Sequence, residues 1–194
     1  MTSGSVIKYF LLAGLFVYLP AQADELENLM RSMAAVKNRV VVYKEEKQME
    51  VLEDSLYSEG RLEFIVPNKL IRCVIKPVKI CYTIDSRQLT IEKAGKIQTR
   101  SLDNFPLVRV FVESFRAVLA GDLATLKKHY SIIFTGDLVA WEITLRPKDK
   151  KLTTYVKKIE LSGVGDDIQS YIVEDSNGDL TRMQLYQTDS EAIE

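Results

Sequence analysis

Between Phe105 and Asp122 the chain reads FPLVRVFVESFRAVLAGD, and no other stretch restricts the fold as much. Pro106 fits a first helical turn and Gly121 a helix end. Leu107, Val108, Phe111, Val112, Phe115, Val118 and Leu119 recur at steps of three and four, which is one face of a helix. Val110 and Ala117 widen that face, leaving Arg109, Glu113, Ser114 and Arg116 as the polar remainder. A face so wide needs a large apolar partner. Two readings stay open: an ordinary core helix, or a helix that plugs or lids an apolar cavity.

The partner is predicted to be β-sheet. Arg39–Lys44 is β-rich, and Arg61–Val66 puts Leu62, Phe64 and Val66 on one face. Leu70–Ile75 and Lys79–Ile84 flank Pro77, and Leu89–Lys93 and Lys96–Leu102 flank Ala94-Gly95, giving two hairpins. Past the central helix, Asp122 is a candidate N-cap for a short helix, Leu123–Tyr130. Ile132–Phe134 and Leu138–Arg146 follow, with Val139, Trp141, Ile143 and Leu145 alternating in the second. Tyr155–Leu161, Ile168–Glu174 and Leu180–Tyr186 complete the set, the last two joined by a Ser176-Asn177-Gly178-Asp179 hairpin signal. Roughly nine to eleven short strands at regular spacing predict a sandwich or a barrel. Asp24–Asn38 is a predicted amphipathic helix through Leu26, Leu29, Met30, Met33 and Val36. Two helices over a half-closed barrel would leave an apolar pocket between helices and sheet.

Residues 1–23 have the layout of a secretory signal peptide. Lys8 precedes the apolar run Tyr9–Leu19, and Ala21-Gln22-Ala23 offers a small-x-small cleavage site. A membrane span needs about 20 apolar residues, so the run is short for one; an uncleaved anchor is the competing reading. The expectation is export, cleavage after Ala23 and a single soluble domain over residues 24–194. Cleavage would remove only Lys8 from the charged set and move the formal charge from −1 to −2. A chain without a basic excess is not expected to bind nucleic acid.

Catalytic signatures are missing. No G-x-S-x-G and no phosphate-cradling glycine loop occurs. His129, the single histidine, is expected to be exposed on a helix. Without a His/Cys cluster, neither a metal nor a cofactor is expected, and the chain is not expected to be an enzyme. Asp166-Asp167 is a weak match to a calcium loop and is expected to be a solvated turn.

Cys73 and Cys81 are the only cysteines, four residues either side of Pro77. Pairing them puts Val74 opposite Ile80 and keeps the apolar face in register. An exported chain meets oxidising conditions, so a cross-strand disulfide is expected, against two free half-buried thiols.

Ser58–Leu70 (SEGRLEFIVPNKL) has a Gly, alternating apolar residues, a Pro and a further apolar position. Asp85–Leu89 gives a turn and a strand, Leu145–Lys148 a strand then a proline, and Ser176–Asp179 a late hairpin. In that order these elements resemble the outer-membrane lipoprotein carrier family, the LolA-like proteins. Phe105-Pro106 through Gly121-Asp122-Leu123, with Trp141, is more similar to a LolA-related branch than to the classical carrier. The resemblance implies an α+β, mainly β fold: an unclosed antiparallel β-barrel with helices as lid or plug over an apolar cavity. It implies a periplasmic, monomeric carrier of lipid or acylated protein cargo, meeting an inner-membrane transporter and an outer-membrane acceptor. The alternative is a non-carrier accessory subunit of an envelope transport or lipid-export system. On the carrier reading, Leu62, Phe64, Val66, Leu107, Phe111, Phe115, Val118, Trp141 and Ile143 line the cavity. Classical carriers place an arginine just before the proline matched by Pro67, where it helps hold the lid; Val66 stands there in this chain.

Overall fold

The structure, a computed structural model, describes residues 21–187. The apolar run Tyr9–Leu19, expected to belong to a signal peptide, and the acidic end of the chain lie outside the described residues. Eleven strands form one sheet: β1 Asn38–Gln48, β2 Leu56–Ile65, β3 Lys69–Lys76, β4 Ile80–Asp85, β5 Gln88–Lys93, β6 Lys96–Ser101, β7 Tyr130–Gly136, β8 Trp141–Pro147, β9 Val156–Val164, β10 Asp167–Asp175 and β11 Leu180–Gln187. The helices are α1 Ala21–Ala35, α2 Pro106–Leu119, α3 Leu123–His129 and α4 Lys150–Thr153, with a 3-10 turn at Leu102–Asn104.

The sheet order is β6-β5-β4-β3-β2-β1-β11-β10-β9-β8-β7. Every neighbouring pair is antiparallel. Strands β6 and β7 are the free edges, so the barrel is unclosed. Period-two alternation produces the inner face: Leu62 and Phe64 on β2, Ile143 and Leu145 on β8, and Ile159 and Leu161 on β9 are all buried. With residues of α1 and α2 they make one continuous apolar core.

Several boundaries differ from the sequence reading, each for a local reason. Helix α1 ends at Ala35 rather than Asn38; the Val36 N–H closes on the Met33 carbonyl at 3.2 Å, and Asn38 already belongs to β1. Strand β2 starts at Leu56 and runs through Gly60. At Gly60 a Cβ would collide with the Cys73 carbonyl of β3, so glycine there permits close strand approach. Strand β8 starts at Trp141, not Leu138. The Asp137 carboxylate accepts from the N–H groups of Val139 (2.7 Å) and Ala140 (3.3 Å), holding that segment as a turn. Helix α4 was not expected; Asp149 caps it by accepting from the Lys151 N–H at 2.7 Å. Asp122 caps α3 as read, accepting from the Thr125 N–H at 2.9 Å.

Candidate functional site

Helix α2 occupies the trough of the sheet. Its apolar face docks Val110, Val112, Phe115, Val118 and Leu119, all buried. Burying a side chain of this size contributes about 1.5–3 kcal/mol, so α2 is seated by packing. Gly121, at φ 64°, lets the chain turn out of the helix beside α1; a Cβ there would run into the Met30 carbonyl oxygen.

Aromatic contacts mark the centre of the seat. The Phe111 and Phe115 rings stack at 5.6 Å between centroids. Tyr171 of β10 meets both edge-on, at 5.0 and 5.3 Å. Beside them Ser114, an alcohol in an apolar helix, bonds back to the carbonyls of Val110 (2.8 Å) and Phe111 (3.0 Å). Its Oγ also lies 3.0 Å from the Tyr171 hydroxyl. Burial pushes the Tyr171 hydroxyl far above the ordinary tyrosine value. Tyr130 is pushed up to about 12, first by burial and then by the charge of Glu113.

A second tie joins helix to sheet. Arg116 Nη2 donates to the Ile84 carbonyl at 2.9 Å and its Nη1 to the Ser86 carbonyl at 3.2 Å. Partial burial lowers the Arg116 pKa. In this chain, therefore, an arginine on the helix grips the β4–β5 turn, whereas the position before Pro67 carries Val66. The signal was present in the sequence as the one cation between Phe115 and Ala117. Ser114 was legible only as part of the polar remainder.

Of the residues expected to line a cavity, Leu62, Phe64, Phe115, Val118, Trp141 and Ile143 are buried in the common core, with Phe111 half-buried against it. Val66 and Leu107 are elsewhere. Val66 is 43% exposed because β2 ends at Ile65; its N–H donates to the Lys37 carbonyl at 3.1 Å. Leu107 is 42% exposed in the first turn of α2, next to exposed Val108. Between α2 and the sheet about 10 Å³ of space remains, bordered by Val41, Leu62, Phe64, Phe115, Leu119 and Ile168. That is room for about one water-sized sphere. There the helix packs closely on the sheet.

Arg39 stands beside that space, 9% exposed, and the sequence reading missed it. Its guanidinium donates to Asp167 at 2.9 Å and to Asp166 at 3.0 Å. The two acids expected as a solvated turn thus hold a buried cation across β11. Trp141 Nε1 donates to the Gly165 carbonyl of the same turn at 2.9 Å. In the β3–β4 hairpin Cys73 and Cys81 pair in register and are joined by a disulfide, with their Cα atoms 4.1 Å apart. Among the described residues no cluster of three or more metal-ligating side chains occurs, and no helix is long and apolar enough to cross a membrane.

Among solved structures the chain is similar to a LolA superfamily protein from Nitrosomonas europaea, at 10% identity and a TM-score of 0.48 over 87% of this chain and 94% of that one. The MucA/MucB complex of Pseudomonas aeruginosa matches at 13% identity and a TM-score of 0.46 over 87% of this chain and 56% of that one. Lipoprotein LppX of Mycobacterium tuberculosis matches at 7% identity and a TM-score of 0.41 over 87% of this chain and 98% of that one. The sequence matches no curated protein at a significant level. Residues 20–194 match the family described as outer membrane lipoprotein carrier protein LolA-like, and the chain belongs to that family.

Proposed function

We propose that this chain is an exported periplasmic carrier that shelters a lipid acyl chain between α2 and the inner face of the sheet. The observation that carries the reading is that α2 lays a wide apolar face into an apolar trough of the sheet. Its apolar seat is supplemented by the Ser114–Tyr171 contact and the Arg116 grip on the Ile84 and Ser86 carbonyls. Its first turn leaves Leu107 and Val108 exposed.

The energies support exchange. Shelter for an acyl chain of about 16 carbons amounts to on the order of 10 kcal/mol, at about 0.8 kcal/mol per CH₂. Val112, Phe115, Val118 and Leu119 together contribute roughly 6–12 kcal/mol by their own burial. Cargo and helix therefore compete on near-equal terms for the same trough, as a carrier that must also release requires. The family's inner-membrane transporter and outer-membrane acceptor are the partners this reading implies.

Native mass spectrometry of protein taken from its own periplasm tests the reading, paired with titration of a fluorescent fatty acid. Bound lipid, or saturable uptake that strengthens when Arg116→Leu frees the helix, is the expected result. Lipid-free protein that ignores the probe in both forms overturns it.

One observation favours a second reading, that of an accessory subunit which carries nothing: the space beside Val41, Leu62 and Phe115, under the helix, is about 10 Å³. On that reading the helix stays seated, and a partner is captured by protein lacking lipid.

A further inference from the structure

Several hairpin tips lie at one end of the sheet, and two of them share a chemistry the trough does not use. Strands β4 and β5 are paired, with Ile80 opposite Lys93. The β3–β4 and β5–β6 tips therefore stand side by side. At these tips Ile75 and Val78 are each 51% exposed and Ile97 is 67% exposed. Lysines surround them. Lys76 is held by Glu59 at 2.7 Å, while Lys79, Lys93 and Lys96 are exposed and form no ion pair among the described residues. Glu92 is the opposing charge within the two tips.

We propose that these two tips dock the protein on an anionic lipid surface, with Val78, Ile75 and Ile97 entering the headgroup layer and the lysines meeting the lipid phosphates. Charge complementarity favours this occupant. Basic side chains beside small apolar ones are what an anionic interface attracts, and lysine stems reach back to the headgroups. A protein partner would need a broad complementary surface, about 800 Å² per side; three aliphatic side chains on two hairpin tips do not provide one. The Cys73–Cys81 disulfide closes the tip that carries Val78 and ties its two strands in register. The neighbouring β1–β2 tip exposes Val51, Leu52 and Tyr57 but carries Glu50, Glu53 and Asp54, so contact is confined to the basic corner. The inference goes beyond acyl carriage and does not depend on it.

The test is flotation of the mature protein with vesicles of about half phosphatidylglycerol and half phosphatidylcholine, against phosphatidylcholine alone. Binding is expected only with the anionic vesicles, and roughly tenfold weaker at about 0.5 M salt, where charges are screened within a few ångströms. Val78→Asp, and separately the triple change Lys79→Glu, Lys93→Glu and Lys96→Glu, are each expected to lower binding at least about tenfold. Val51→Asp on the acidic tip is expected to leave it unchanged. All sites are exposed, so melting temperatures should match the parent, and fatty-acid uptake should be untouched; a parent that ignores the fatty acid yet floats with anionic vesicles counts against the carrier reading alone. Parent protein that stays off the anionic vesicles, or binding that survives both basic-tip variants, overturns the proposal.

Discussion

Ser114 of α2 and Tyr171 of β10 meet hydroxyl to hydroxyl at 3.0 Å, beside the Phe111 and Phe115 rings that meet the same tyrosine edge-on. The two groups are unequal. Ser114 keeps two carbonyl acceptors on its own helix without Tyr171. Tyr171, 1% exposed, has Ser114 as its hydroxyl partner.

Removing each hydroxyl should therefore give different losses. Tyr171→Phe leaves no buried group unpaired and is expected to cost about 0.5–1.5 kcal/mol. Ser114→Ala strands the buried phenol and is expected to cost about 1–3 kcal/mol, despite alanine's better helix propensity. Urea unfolding of both variants checks the order, and a larger loss in Tyr171→Phe would show that the contact is not what holds the pair.

Alkaline stability should follow Tyr130. Its pKa in the folded chain is raised to about 12, with burial the first cause, above an unfolded value of about 10. A raised folded pKa means that the neutral phenol is the favoured form in the fold. The stabilisation is fully present below about pH 10 and is lost as pH rises toward 12. The loss amounts to about 2–3 kcal/mol over those two units. Tyr130→Phe removes its share of that slope, the part belonging to the raised Tyr171 and Tyr43 phenols remaining, and chemical denaturation at several pH values between about 9 and 12 would read the difference.

Phe115→Ala distinguishes a packed plug from an open lining. With Phe115 2% exposed and stacked on Phe111, the substitution is expected to cost about 3–5 kcal/mol. It also enlarges the small void beside the ring, so an apolar dye should bind the variant more tightly than the parent. A loss below about 1 kcal/mol would mean that the ring is not packed as described.

The disulfide closes a loop with a sequence separation of 8. Replacing both cysteines by serine is expected to cost about 2–3 kcal/mol in the chain-entropy model. A non-reducing peptide map should show the Cys73 and Cys81 peptides joined. Alkylation of both thiols without prior reduction would remove the stapled tip from the argument.

How much was legible depended on the range of the interaction. The α2 face, the Asp122 cap and the pairing of Cys73 with Cys81 rest on spacings of a few residues, and each is present in the structure. Val66 and Leu107 stand partly exposed, which was not legible because periodicity does not tell where a strand stops meeting its neighbour or where a helix clears the sheet. The Arg39 pairs with Asp166 and Asp167 join residues more than a hundred positions apart. No local pattern encodes them; they exist because β11 lies between β1 and β10. The filled trough was likewise invisible, since the same apolar stripe describes a tight core and the wall of a cavity.

The sheet order has a consequence for how the chain is made. Its middle is formed by its ends: β1 pairs on one side with β2 and on the other with β11, Val41 lying opposite Gln187. The segments β2 to β6 and β7 to β10 are runs of consecutive hairpins, local contacts that form quickly. The pairing of β1 with β11 is the slow, long-range closure, and it cannot begin until β11 is available to β1. A chain cut before residue 180 lacks β11, so its two runs of hairpins are not joined through β1, and the middle of the sheet is the part that depends on both ends of the folded segment.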